Sequence, residues 1–110
     1  MIKIYTDGSS RGNPGPGGYG IVVLYKDNRE ELSQGYNLTT NNRMELLAVI
    51  KALEALNNNK IDITIYSDSK YVVESVERGW IWNWEKVNFK KKQNSDLWKK
   101  FIPLYKKFKV

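Results

Sequence analysis

The chain has 110 residues, 41% hydrophobic and 13% aromatic, which is enough for one domain with a modest core and too apolar for a disordered tail. It contains no Cys and no His, so disulfides, thiol chemistry, zinc sites and imidazole acid/base catalysis are excluded, leaving acids, amides, hydroxyls and Lys/Arg. The net charge of +6 is uneven: residues 86–110 carry nine Lys against one acid, Asp96, for +8, while residues 1–85 carry nine Lys/Arg against eleven acids, for −2.

The N-terminus enters an alternating strand, residues 2–6, with no apolar export segment before it, and no stretch reaches membrane-spanning length, so a soluble cytoplasmic protein is expected. "DGSSRGNPGPGG" is expected to break regular structure. Strands follow at 19–25 and near 31–37, joined through "DNRE" and therefore antiparallel. A helix over 43–57, a stop at "NNNK", and a strand at 61–66 with Ile61, Ile63 and Ile65 on one face invite a right-handed crossover and a parallel pair. Three helices complete the chain: Ser69 to Val76, "RGWIWNWEK", and "SDLWKKFIPLYKKF", the last containing Pro103, which should kink it. The whole is a single α/β domain, residues 1–110, with no internal repeat or linker. The C-terminal basic block suits a polyanionic partner, although a solvated Lys-rich helix face would have the same composition.

One acid falls in an unexpected place. At 100° per residue, Glu45 shares the apolar stripe of Ala48, Val49, Ala52 and Leu56, while Lys51 and Glu54 lie on the opposite face. If the strands at 2–6 and 61–66 are parallel neighbours, Asp7 and Asp68 lie just past equivalent ends, on the faces opposite Ile4 and Ile65. Glu45, on the first turn of its helix, would then point at both. Crowded carboxylates repel unless a divalent cation neutralises them. Each acid also has a plain structural reading: Asp7–Gly8 as a turn, Asp68 as a helix N-cap, and Asn42 with Glu45 as a capping box.

The segments "YTDGSSRGNPGPGGYG", "TTNNRMEL" and "YSDSKYV", in this order and spacing, together with "GWIWNW" and "SDLW", resemble type 1 ribonuclease H over essentially the whole chain. The resemblance implies a mixed α/β ribonuclease H-like sheet of order 3-2-1-4-5, with strands 1 and 4 parallel and strands 1-2-3 antiparallel. It implies hydrolysis of the RNA strand of RNA/DNA hybrids with Mg²⁺ or Mn²⁺ in a two-metal site. Asp7, Glu45 and Asp68 match catalytic metal ligands, with backbone from Gly8 and Ser9 beside them. Asn13, Thr40, Asn41 and Asn42 match residues that contact hybrid backbone, 2′-hydroxyls or minor-groove bases. Trp80, Asn83 and Trp84 with Lys90, Lys91 and Lys92 match a basic protrusion that grips the DNA strand, core packing being the other reading of each Trp. Lys70 stands where many relatives carry Gln.

In the family a fifth strand, a loop with an assisting His, and a helix with a fourth metal-site Asp follow the point at which this sequence ends. A truncated chain, or completion by a missing C-terminal segment or a homodimer, is favoured over an autonomous three-acid enzyme. The strand at 61–66 should then be an unpaired edge, with apolar surface uncovered around Ile2, Ile4 and Ile63. The rival readings are a non-catalytic hybrid-binding module and a structural domain of a larger nuclease or polymerase assembly.

Overall fold

Strand β1 (Ile2–Ser10) buries Ile2, Ile4 and Thr6 on one face and turns Lys3, Tyr5 and Asp7 outward on the other, following the period of two in its sequence. The computed structural model describes residues 1–56, 61–90, 92–108 and 110. It sets β1 between β2 (Gly15–Tyr25) and β4 (Ile63–Tyr66), with β3 (Asn28–Thr39) outside β2, in the order β3-β2-β1-β4. The β1–β2 and β2–β3 pairs are antiparallel, and β1–β4 is parallel with Ile2↔Ile63, Ile4↔Ile65 and Tyr5↔Tyr66 in register. This is the expected mixed sheet, with β4 at one edge.

The glycine-rich segment does not break the sheet where expected. β1 continues through Ser10 and β2 begins at Gly15, leaving only residues 11–14 between them. These glycines serve close backbone approach as much as turning. A Cβ on Gly8 would lie 2.5 Å from the Met44 carbonyl carbon, and one on Gly17 would lie 2.4 Å from the Ser9 carbonyl oxygen.

Helix α1 (Asn41–Glu54) starts two residues earlier than the apolar periodicity suggests. Its buried side is broad: Met44, Leu46, Ala48, Val49, Ile50, Ala52 and Leu53 all belong to the core, and Glu45 is buried with them. Lys51 and Glu54 face solvent and pair with each other at 3.2 Å. Truncating a fully buried side chain such as Leu53 to Ala should cost ~2–5 kcal/mol, because the sheet and the facing helix cannot both collapse onto the hole. The expected stop after this helix falls at residues 57–60, outside the described residues.

Helices α2 (Lys70–Glu77), α3 (Trp80–Lys86) and α4 (Ser95–Lys107) follow. α4 runs on through Pro103, which is exposed, and packs Leu97, Trp98, Phe101 and Ile102 into the core beside α1. That packing corrects one expectation: Ile2, Ile4 and Ile63 are not uncovered but 5%, 0% and 4% exposed. α1 lies over β1, and Ile63 shares an apolar groove of about 260 Å³ with Val49, Val72, Phe101 and Tyr105. No helix among the described residues is long and apolar enough to cross a membrane.

Candidate active site

Pairing between β1 and β4 ends at Tyr5↔Tyr66, whose rings stack at 4.7 Å. Asp7 and Asp68 each lie two residues beyond that last pair, so the parallel register alone carries both carboxylates to one end of the sheet. Across this ladder the Ile2 N–H donates to the Asp62 carbonyl at 2.9 Å. With a period of two, Gly8 presents its N–H on the same edge, past the end of β4, where the Glu45 carboxylate Oε1 accepts it. Gly8 has no side chain to hold α1 away, so Glu45 reaches this gap from the helix. The ligand oxygens of Asp7, Glu45 and Asp68 come within 4.8 Å of one another.

The structural readings of the three acids do not hold. Asp7 is inside β1, opposite Gly20 on β2, and not in a turn. Ser69, not Asp68, caps α2, its side chain accepting from the Val72 N–H at 3.2 Å. Thr40, not Asn42, caps α1 through the Arg43 N–H at 3.3 Å. Glu45 is therefore the fifth residue of α1, on its second turn, too far along to close a capping box. "TTNN" holds four cap-type residues; Thr39 ends β3, and Thr40, the first residue past the strand, makes the bond.

Among the described residues none of the three acids forms an ion pair with Lys or Arg. The Glu45 carboxyl is pushed up to about 7, first by burial and further by the charges of Asp68 and Asp7, against the lowering effect of the Gly8 N–H. A buried acid whose affinity for its proton is raised beside two other carboxylates marks a concentration of negative charge with no paired Lys or Arg among the described residues. The donors are all hard carboxylate oxygens, with two exposed and one buried, which fits a divalent cation such as Mg²⁺ or Mn²⁺. A shallow depression of about 330 Å³ opens beside them, bordered by Asp7, Gly8, Ser9 and Gln34.

The amide and hydroxyl residues gather next to this cluster. The Asn13 Oδ1 accepts the Asn41 N–H at 3.0 Å, so a residue of the 11–14 turn satisfies one of the helix N–H groups that α1 leaves without an internal partner. The Asn41 Oδ1 accepts the Ser10 N–H. Asn42 is exposed on the first turn of α1, and Lys70 is exposed at the start of α2, two residues past Asp68. Ser10, which joins Asn13 to Asn41, and Arg43, which makes a two-pronged bond to Asp96 at 3.0 and 2.6 Å, escaped the sequence reading. The one available signal for Ser10 was a hydroxyl residue just before a Gly-Asn turn.

The aromatic and basic residues divide. Trp80 is 40% exposed, with the Arg78 guanidinium 5.8 Å from its ring, and Asn83 is exposed on the same helix. Trp84 is half-buried, edge-on to the fully buried Trp98 at 5.8 Å, with the Lys92 Nζ 5.1 Å from its ring. It therefore serves core and surface together. Lys90 and Lys92 are exposed on either side of residue 91, and Lys91 lies outside the described residues.

An open carboxylate cluster that could hold a metal ion, at the C-terminal end of parallel strands in a β3-β2-β1-β4 sheet crossed by one long helix, defines the class: a ribonuclease H-type fold. The RNase H family model matches residues 1–110, and the chain belongs to that family. It is 51% identical over 109 residues to a ribonuclease H of Syntrophus aciditrophicus, covering 94% of this chain and 62% of that protein. It is 52% identical over 114 aligned positions to a ribonuclease H of Trichodesmium erythraeum, covering 99% and 72%. LC11-RNase H1, isolated from compost by a metagenomic approach and solved in complex with an RNA/DNA hybrid, matches with a TM-score of 0.68 at 30% identity, covering 97% of this chain and 75% of that one. The chain thus spans less than two thirds of the length of the Syntrophus relative.

Proposed function

We propose that this chain hydrolyses the RNA strand of RNA/DNA hybrids with the help of a divalent cation, Mg²⁺ or Mn²⁺, held by Asp7, Glu45 and Asp68. The observation that carries this reading is the approach of three carboxylates to within 4.8 Å, none in an ion pair among the described residues and each free of the capping or turn role that would otherwise explain it. When bound, the cation supplies charge neutralisation at the scissile phosphate and a more acidic water as nucleophile. Glu45 keeps its carboxylate aimed at the cluster through the Gly8 N–H, and Asp7 and Asp68 stand on opposite sides of the gap in the sheet. Asn13, Asn41 and Asn42 line the approach with amides, suited to phosphate and ribose oxygens, while Thr40 holds the helix end that carries two of them. Lys70, Trp80, Asn83, Trp84, Lys90 and Lys92 offer a cationic and aromatic surface for the other strand.

Labelled RNA/DNA hybrid, duplex DNA and duplex RNA incubated with the protein and Mg²⁺ or Mn²⁺ test the reading. Cleavage of the RNA in the hybrid alone, abolished by Asp7→Asn, is the expected result. Binding without cleavage would favour a recognition module instead.

A further inference from the structure

The sheet has one packed face and one open face. α1 lies on β1 and β2 over the buried Ile2, Ile4 and Ile21, α2 and α4 pack on α1, and α3 packs on α2. The opposite face carries Lys3, Tyr5 and Asp7 of β1 and Tyr66 of β4, all exposed. Tyr5 and Tyr66 pair in register and stack with 12° between their rings, yet each is 43% exposed. The ring face of Tyr5 turned away from Tyr66 looks toward β2, across a depression of about 430 Å³ bordered by Asp7, Val22, Glu31 and Ser33. Gly20 lies at its floor. Gly8 and Gly17 lack side chains because backbone crowds them, but a Cβ on Gly20 would meet nothing within 4 Å. A glycine inside a strand costs ~0.5–1 kcal/mol relative to Ala, so this one keeps a hollow open that packing does not require.

We propose that this open face seats an unpaired nucleobase of a single nucleic-acid strand, edge down over Gly20 and stacked on Tyr5 to extend the Tyr66–Tyr5 column. Aromatic side chains on the exposed face of a four-stranded sheet suit that ligand, because stacking needs a bare base face, which a paired duplex hides. Lys3 and Asp7 flank Tyr5 two residues away on the same face of β1, roughly 7 Å to either side. A strand whose base enters the hollow therefore meets the carboxylate cluster on one side and a cation for a neighbouring phosphate on the other. A second copy of the chain fits this face less well: a flat partner leaves the hollow unfilled, and the charges of Asp7 and Glu31 border it. The choice of nucleic acid as ligand rests on the hybrid-hydrolase reading above; the shape of the seat does not.

Fluorescence anisotropy with short labelled single strands in Mg²⁺ tests the seat: a ribo-oligonucleotide, a deoxyribo-oligonucleotide, and an abasic deoxyribose-phosphate strand of the same length. The two base-bearing strands should bind alike, since a stack reads the ring and not the sugar, and the abasic strand about tenfold more weakly. Tyr5→Ala and Gly20→Val should each weaken the base-bearing strands about tenfold, to the abasic level, while Tyr5→Trp keeps the binding. Gly20→Val fills the hollow with a good strand former that meets no other atom, so the fold is retained and urea midpoints check it. Base-bearing strands bound no more tightly than the abasic one, or bound equally by wild type, Tyr5→Ala and Gly20→Val, overturn the proposal. A dimer in sedimentation that Tyr5→Ala dissociates gives the face to a second copy and overturns it too. Hybrid cleavage measured on the same samples keeps the two readings apart. Base-dependent binding without cleavage overturns the hydrolase reading alone, and cleavage with single-strand binding indifferent to Tyr5 and Gly20 overturns the seat alone.

Discussion

The carboxylate of Glu45, on the second turn of the central helix, accepts the backbone N–H of Gly8 on the central strand. The bond is possible because position 8 has no side chain: a Cβ there would fall 2.5 Å from the Met44 carbonyl carbon and 2.7 Å from the Glu45 nitrogen, both main-chain atoms that cannot swing aside. Gly8→Ala should therefore lift the start of α1 off β1. A loss of ~1–3 kcal/mol in urea denaturation is expected, as for an overpacked interior, together with a loss of divalent-cation affinity. An Ala variant as stable as wild type would show that the close approach is not required.

The pH dependence of stability carries the signature of the carboxylate cluster. In metal-free buffer the folded Glu45 holds a proton up to about pH 7, whereas its ordinary value is 4.5. Between those values the folded state binds more protons than the unfolded chain, so stability falls as pH rises through this window and stays low above it. Glu45→Gln should flatten that slope, and a comparison of urea midpoints at pH 5 and pH 8 in EDTA reads it directly. Added Mg²⁺ should stabilise the wild type more at pH 8 than at pH 5, because proton and cation compete for one carboxylate.

The two candidate helix caps separate cleanly by mutation. Thr40→Ala removes the acceptor of the Arg43 N–H and should cost ~1 kcal/mol. Asn42→Ala removes an exposed first-turn side chain with no capping bond and should change stability far less. Equal losses, or the reverse order in thermal melts, would restore Asn42 as the cap.

Arg43 and Asp96 join the first turns of α1 and α4. The guanidinium holds the Asp96 carboxyl below its ordinary 3.8, so the pair contributes stability above that value and loses it as pH falls through the lowered one. With Asp96 more than half exposed, the contribution should not exceed ~1 kcal/mol. Asp96→Asn should match wild type in acid and fall slightly below it at pH 7.

Lys90 and Lys92 lie on the exposed basic segment. If they contact phosphates, replacing both with Ala should reduce the slope of log affinity against log salt by about two for hybrid binding. An unchanged slope would assign them to solubility.

What could be read from the sequence and what could not divides along a physical line. The strand period places Asp7 opposite Ile4 and Asp68 opposite Ile65, and a parallel register then carries both acids to one sheet end, so the cluster was legible from parity alone. The inward turn of Glu45 was legible from its helical stripe. The cap was not, because Thr40, Asn41 and Asn42 all have capping side chains and only the exit from β3 chooses among them. The glycines of the first hairpin were misread as breaks because the atoms they make room for lie far away in sequence, on Met44, or across the strand pair, on Ser9. The burial of Ile63 depends on where Phe101 and Tyr105 of α4 fold back, which no local pattern encodes.

The claim at the centre of this account is that Asp7, Glu45 and Asp68 form one cation site. Crystals grown with Mn²⁺ and measured for anomalous scattering address it without reference to turnover. The account predicts a peak bonded to oxygens of all three residues, with Glu45 ionised. No peak there at millimolar Mn²⁺, or carboxylates splayed apart around water, would contradict it.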